Sequence, residues 1–318
     1  MRPTFVVSLD KELVWGSFDL MSAEAWARAY PDPRGTVRRL LALLDELAIP
    51  ATWAVVGHLF LGACRRDAAG RAHPEIVRPR HAWRRGDWLA DDPCTDRAHD
   101  PLWYGDDLVD EILAARTKHE VGSHSFSHVI YGDAGCSAEA AASDLAACVA
   151  AARARGVALR SFVFPRNVEG HHALLKANGF VAYRGDDPTW FRGLPGVARR
   201  AAHLFDQAAG LEPPVSVPRE TLPGLWNIPG SMLLLHRGGV RQLVPLSVRV
   251  ARGRAGLARA VREEKVFHLW FHPFNLCVDR AGMLGALREI LTAAARLRDE
   301  GALDIRTMGD LADSMSHP

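Results

Sequence analysis

This sequence has no apolar run of membrane-spanning length, no closely spaced cysteine pair, no excess of charge, no internal repeat and no low-complexity linker. The first absence argues against a transmembrane helix, which needs about 20 apolar residues in a row. The charge balance, 39 basic against 37 acidic residues for a net +2, gives no global reason to expect a nucleic-acid partner. The five cysteines, Cys64, Cys94, Cys136, Cys148 and Cys277, are scattered and odd in number. That pattern argues for reduced thiols, against a disulfide scaffold and against a cysteine metal site. The opening run from Met1 to Leu9 meets Asp10-Lys11-Glu12 too soon for the apolar region of a signal peptide, so a cytoplasmic location is the expectation.

What is present is 318 residues, enough to bury one large core, with no linker to divide it; a single domain over 1–318 is expected. Phe5 to Leu9 reads as a buried strand of the parallel-sheet type. Leucines at 40, 41, 44 and 47 give residues 35–48 the helical period; Pro50 stops the helix, and 51–57 reads as a second strand. Helix 106–117, a strand ending near Ser123, an alanine-rich helix over 137–155, strand 161–164, helix 171–178 and strand 180–183 continue the alternation. Strand 266–271, helix 282–300 and strand 303–305 close it. Residues 62–105 and 195–262 read as two insertions. Strands alternating with helices, each strand followed by polar residues, form the pattern of a barrel-like α/β enzyme whose site lies at the C-terminal ends of the strands.

The centre of that pattern is His119-Glu120-Val121-Gly122-Ser123-His124-Ser125-Phe126-Ser127-His128. Two imidazoles four apart after a strand can reach one divalent ion. Spacing alone is weak, since 14 × 14/318, or roughly 0.6, such pairs arise by chance, and His268 and His272 form a second pair. The strength lies in what else follows the strands: Asp10 and Glu12, Arg166 and Asn167, Asp186 and Asp187, His272. Two histidines and one carboxylate make a three-ligand catalytic site with a position left for water. A second carboxylate and a third histidine can serve as base and acid.

In this order the motifs resemble those of the polysaccharide deacetylases, carbohydrate esterase family four. Ser8-Leu9-Asp10-Lys11-Glu12 stands where the family has an acidic pair, His124-Ser125-Phe126-Ser127-His128 matches H-S/T-x-x-H, Phe162 to Asn167 matches the aromatic and proline turn, and Leu269-Trp270-Phe271-His272-Pro273 matches the strand ending in histidine. The resemblance implies a distorted (β/α)7 barrel and a divalent metal, zinc first, held by Glu12, His124 and His128. Asp10 would then be the base and His272 the acid. Lys11 departs from the commonest form of the first motif, where the two acids are adjacent; the exchange of roles between Asp10 and Glu12 stays open. The family often steers its base with an arginine two residues before the proline. That position is Val163 here, which leaves Arg166 either to take over the steering or to contact substrate while its backbone N–H helps an oxyanion hole. Asp187 is the better candidate, over Asp186, for orienting His272. His268 reads as a hydrogen-bonded core residue.

Substrate contacts are expected from Trp88, Trp103 and Tyr104 in the first insertion, where Trp83 also lies, and from Asn167. These rings either stack on sugars or anchor the loop. Between Arg237 and Arg262 stand seven arginines and no acid. They form either a solvated face or a seat for phosphate, with Arg237 and Arg241 favoured by the Gly238-Gly239 between them. The reading reached is a metal-dependent N-deacetylase of an amino-sugar intermediate, free or linked to a lipid or nucleotide. A deformylase or other C–N amide hydrolase, with or without metal, is the alternative, and an inactive glycan-binding protein is a remote one.

Overall fold

The computed structural model describes residues 1–191 and 193–316; Arg192 and the last two residues of the expected 1–318 domain, His317 and Pro318, lie outside the described residues. In chain order the elements are β1 (Thr4–Lys11), α1 (Ala23–Ala29), α2 (Pro33–Glu46), β2 (Thr52–Val55), α3 (Asp106–Ala114), β3 (Glu120–Ser123), α4 (Ala138–Arg153), β4 (Ser161–Val163), α5 (His172–Ala177) and β5 (Ala182–Arg184). There follow α6 (Gly196–Ala208), β6 (Arg219–Leu222), β7 (Leu225–Asn227), β8 (Met232–Leu233), α7 (Leu246–Glu263), β9 (Val266–Phe271), α8 (Arg280–Asp299), β10 (Asp304–Arg306) and α9 (Met308–Ser316). None of the described helices is long and apolar enough to cross a membrane.

The sheet runs β6-β7-β5-β4-β3-β2-β1-β9-β8, parallel except for the β6/β7 hairpin, with β10 beside the first residues of β1. It is curled. Arg184 on β5 bonds directly to Asp10 on β1 at 2.7 Å although three strands separate them along the sheet. The curl is closed by one segment. Residues 225–227 pair with β5, and residues 232–233 pair with β9, so β7 and β8 are two halves of a single strand bent at Pro229-Gly230. Counting them together gives seven barrel strands. A Cβ on Gly230 would lie 2.0 Å from Asp187 Oδ1, so only glycine lets the bend pass there.

This closure corrects the reading of 195–262 as an insertion. The bent strand and α7 are barrel parts, and α7 packs on both α8 and β9. Residues 62–105 do lack helix and strand, apart from an isolated bridge between Ala63 and Asp96. The arginines of α7 find acidic partners, three of them elsewhere in the chain and one, Glu263, at the end of α7 itself. Arg252 meets Asp206 at 2.8 Å, Arg254 meets Glu289 at 3.0 Å, Arg259 meets Glu263 at 2.7 Å and Arg262 meets Glu212 at 3.1 Å. Buried Arg249 donates to the carbonyls of Leu235, Val244 and Arg241.

The core lies between sheet and helices. Phe5 of β1 stacks on Phe267 of β9 with ring centroids 5.7 Å apart. Gly256 of α7 rests on that second ring, where a Cβ would come within 2.4 Å of it. Such a contact has no room for a branched side chain. Gly256→Val should destabilise the fold by about 1–3 kcal/mol, the range for overpacking, read as a lower urea midpoint with an unchanged slope.

Candidate metal centre and active site

On β1, side chains alternate between the two faces, so Asp10 and Glu12 share one side and Lys11 takes the other. Lys11 is buried at the foot of α2, beside Pro33 and Val37. Burial, with the charge of Arg34, pulls its amine down to about 7. The lysine that interrupts the first motif therefore does not enter the site.

His124 follows β3, and His128 sits in the loop beyond it. Both Ser125 and His128 have left-handed backbone, with φ of 59° and 58°. Asp144 of α4 holds this bent loop. Its carboxylate accepts from the backbone N–H of Phe126 and of Ser127, at 2.8 and 3.1 Å, and from the hydroxyls of Ser127 and Tyr131, both at 2.9 Å. Trp88 reaches over from the long loop and donates its indole N–H to the Ser127 carbonyl at 2.9 Å.

Glu12 Oε1 lies 2.9 Å from His124 Nε2, 3.3 Å from His128 Nε2 and 3.4 Å from His272 Nε2. The Glu12, His124 and His128 side chains are 3 % exposed or less. Proton positions decide what this means. His124 Nδ1 is 2.8 Å from the Val163 carbonyl, which can only accept, so Nδ1 carries a hydrogen, and in the tautomer with no second one a lone pair on Nε2 faces the Glu12 carboxylate. Two lone pairs at that separation repel unless a cation lies between them. Two buried imidazoles and a carboxylate, one ring oriented by a backbone carbonyl, are the donor set and outer support of a divalent site. Glu12, His124 and His128 would hold the ion, and Asp10 and His272 would flank it. A further grouping of Asp10, Glu12 and His272 also brings ligand atoms within 4.8 Å of one another.

Asp10 is fixed by Arg184. The guanidinium donates to both carboxylate oxygens at 2.7 Å, to Ser8 Oγ at 3.0 Å and to Asn167 Oδ1 at 3.1 Å. Burial pushes the Asp10 carboxyl up, but the charge and hydrogen bonds of Arg184 outweigh it and hold the group below its ordinary value. Glu12 is likewise raised by burial and, more strongly, lowered by His272 and the ring hydrogen bonds. For His272 burial works downward, and Glu12 and Asp10 reverse it, leaving a raised pKa. His272 is 24 % exposed at its side chain, with Nε2 3.7 Å from Asp10 Oδ2. The Asn275 amide lies 3.4 Å from Nδ1 and can turn its oxygen there when the ring is protonated.

Several expected roles are corrected. Arg166 does not steer Asp10; it pairs with Asp19 at 2.5 Å, and its guanidinium lies over Trp83 at 5.0 Å. The steering arginine is Arg184, which the sequence reading passed over although it ends β5 immediately before Gly185-Asp186-Asp187. Asp187 does not meet His272 but accepts the Trp270 indole N–H at 3.0 and 3.2 Å, and Trp270 in turn lies 4.1 Å under the Arg184 guanidinium. Burial, above all, raises the Asp187 carboxyl to about 6. Trp88, Trp103 and Tyr104 cannot stack on a sugar: they are 2, 6 and 0 % exposed. Exposed Trp83 carries His81 stacked at 4.9 Å and the Arg166 guanidinium 5.0 Å over its ring. Arg237 is engaged by Asp279 at 2.6 Å, so its charge is already balanced, and Arg241 lies against the His236 ring at 3.2 Å. Asn167 does border open space: with Asp187, Trp190 and Trp270 it lines a cavity of about 540 Å³ next to the centre. His268 is a core residue. Its Nδ1 faces the Pro229 carbonyl at 3.2 Å, its Nε2 accepts from Ser8 at 2.8 Å, and burial pulls its pKa down to about 3.

No sequence-family model matches the chain, and no curated protein does. Solved structures do. A protein from Mycobacterium smegmatis named as a polysaccharide deacetylase superposes with TM-score 0.64 at 17 % identity, over 98 % of this chain and 89 % of its own. The fold is that of the polysaccharide deacetylases. A second protein of that name, from Pseudomonas aeruginosa PAO1, gives 0.62 at 11 % identity over 99 % and 92 % of the two chains. The PuuE allantoinase gives 0.60 at 12 % over 99 % and 90 %. The deacetylase fold thus spans nearly the whole chain, long loop included.

The chain from Arg184 to Asp10 makes a pH-dependent prediction. Removing the guanidinium takes away what stabilises the ionised carboxylate, so the Asp10 pKa rises. Arg184→Met should move the acid limb of the kcat/KM profile to higher pH and lower kcat by about 100-fold, with Arg184→Lys restoring part of both. Arg166→Met should leave the limb in place. A pH–rate profile of the three variants checks this.

Proposed function

We propose that this protein is a metal-dependent amide hydrolase that removes an N-acetyl group from an amino-sugar-containing intermediate, with zinc as the metal. The observation that carries the reading is the convergence at Glu12 Oε1 of three imidazole Nε2 atoms, beside a carboxylate that is locked by an arginine. A divalent ion held by Glu12, His124 and His128 supplies a Lewis acid that acidifies water and polarises an acyl carbonyl. Imidazole with carboxylate suits zinc.

The rest of the work falls to the chain. Asp10, kept ionised and aimed by Arg184, accepts the proton of the attacking water. His272, partly exposed and with a pKa that Glu12 and Asp10 raise, donates to the leaving amine, which departs poorly as an anion. The backbone N–H at Arg166 is the candidate donor to the developing oxyanion. Burial of Glu12, His124 and His128 excludes bulk water from the ligand side. The adjoining cavity falls in the size range of small-ligand sites, about 300–1,000 Å³, and suits a small-molecule, lipid-linked or nucleotide-linked amino sugar that enters past Asn167 and Trp270.

A second reading, hydrolysis of a different C–N amide such as a formamide, is favoured by the fold likeness to an allantoinase. One experiment separates the two: acetylated and formylated amino-sugar intermediates are offered to the protein, and the products are read by mass. The expected result is loss of acetyl, abolished by chelation and restored by zinc. Turnover of formamides alone, or activity indifferent to chelation, would sink the first reading.

The role of His272 is tested on leaving groups. His272→Ala should lose amide hydrolysis by about 100-fold or more yet retain much of its rate on activated esters, whose leaving groups need no proton. Steady-state rates on an amide and an activated ester of the same acyl group give the comparison.

A further inference from the structure

Away from the deacetylase centre, His58, Cys64, His73 and Asp92 bring four ligand atoms within 4.8 Å of one another. All four sit on the irregular stretch that begins after β2, two of them on its first turns, one in its middle and one toward its end. We propose that these residues form a second, structural zinc site that staples the 62–105 loop.

The proton positions again carry the argument. His58 Nδ1 is 3.1 Å from the Trp103 carbonyl, so that nitrogen carries the hydrogen and Nε2 presents a lone pair. His73 Nδ1 is 3.3 Å from the Glu75 carboxylate, which can accept the hydrogen of Nδ1 and so free Nε2. Both free nitrogens converge on one atom: His58 Nε2 is 3.1 Å and His73 Nε2 is 3.2 Å from Asp92 Oδ2. His73 Nε2 is a buried atom without a hydrogen bond, on a side chain only 10 % exposed. With both rings neutral, two lone pairs face a carboxylate oxygen in a dry pocket, an arrangement that a cation among them relieves. Asp92 Oδ1 is used otherwise, accepting from the Cys94 N–H at 2.9 Å, which leaves Oδ2 free to ligate.

Cys64 completes the set. Its Sγ lies 3.5 Å from His58 Nε2 and 3.8 Å from Asp92 Oδ2. The Tyr104 hydroxyl accepts from the Thr95 N–H at 2.8 Å, so its own hydrogen is free to donate to Sγ at 3.2 Å, a bond suited to a thiolate. Zinc bonds of about 2.0–2.3 Å in a tetrahedron place ligand atoms about 3.3–3.8 Å apart. Four of the six separations, 3.1 to 3.8 Å, match that cage, and the other two lie within 4.8 Å. A thiolate and a carboxylate beside two neutral imidazoles balance a dication, so the filled site is electrically neutral. Thiolate with imidazole favours zinc over harder ions. Each ligand also has an outer partner, as such sites require.

The site answers a question the fold raises. Loops of this length without secondary structure are uncommon in compact domains, and this one must hold Trp88 against the histidine loop and Trp103 against Trp15, whose indole N–H donates to the Trp103 carbonyl at 3.1 Å. An ion bound at both ends and the middle supplies the fixing energy that helix or strand would otherwise give. It also reverses the expectation that these cysteines hold no metal, and it gives Tyr104 a role as the thiolate's hydrogen-bond donor.

The test counts metal and looks for sulfur on it. Full-length protein loaded with zinc should hold about two equivalents, one per ligand set. His124→Ala/His128→Ala should keep about one, and Cys64→Ser/His73→Ala should lose the other. Loading His124→Ala/His128→Ala with cobalt alone should give a thiolate-to-cobalt charge-transfer band, which the deacetylase centre, having no sulfur, cannot produce. This cobalt measurement needs no change at the new site, so it decides the matter even where Cys64→Ser/His73→Ala fails to fold. A single equivalent that disappears with His124 and His128, a cobalt spectrum without the band, or a Cys64–Cys94 disulfide found by peptide mapping would overturn the proposal.

Discussion

The pair formed by Asp10 and Arg184 is the contact on which the rest depends. It crosses the barrel interior from the first strand to the fifth and is almost fully shielded from water. Removing one member of such a pair leaves an uncompensated charge and costs about 3–5 kcal/mol, so the pair constrains the curl of the sheet as well as the ionisation of the base. Around it lie the groups it recruits: Ser8 and Asn167 on the guanidinium edge, Trp270 on its face, and Asp187 beyond the indole. A polar strut inside a barrel is tolerable because nearly every lone pair and hydrogen on it has a partner. His268, neutral and hydrogen-bonded to Ser8, belongs to the same network.

Two clusters in one chain follow the same rule. In each, a histidine surrenders its Nδ1 hydrogen to a fixed acceptor and so turns the lone pair of Nε2 toward a carboxylate. The difference is what stands open. The Glu12 cluster has His272, partly exposed, at its rim, and a cavity alongside. The Asp92 cluster is closed by a thiol, a phenol and packed rings. An open ligand set suits chemistry and a closed one suits structure. The loop that carries the closed set also braces the open one, through Trp88 on Ser127.

Much of this was legible in the sequence, for local reasons. β9 spans Val266–Phe271 as its apolar run indicates, and the leucine period finds α2. The histidines and acids of the centre were readable because each closely follows a strand, and strand ends gather on one face of a barrel. What was not legible depends on distance in space. Arg184 also ends a strand, but no motif marks it, whereas the proline turn that does carry a motif holds Arg166, which is consumed by Asp19. Trp88, Trp103 and Tyr104 have the composition of a sugar platform, and composition cannot say which way a ring faces. The bent strand over 225–233 was hidden because each half is only two or three residues long, below any periodic signal. Cysteine spacing rules look for neighbours, and Cys64 lies 28 residues from Asp92, so they see nothing there.

The break at Pro229-Gly230 bears on how such a barrel can diversify. The cavity beside Asn167 lies at this seam, walled by Met232 and Leu233 of one half-strand and by residues 186–191, Leu211, Glu212 and Pro214 from the stretch that wanders before it. His124 and His128 lie across the barrel on the loop after β3, whose shape is set by Asp144. Changes in length or composition at the seam therefore alter what the enzyme recognises while leaving the bond-breaking groups in place. A wall that carries no bond-breaking group can be redrafted without disturbing the histidine loop, and chains of this shape share as little as 11 to 17 % of their residues.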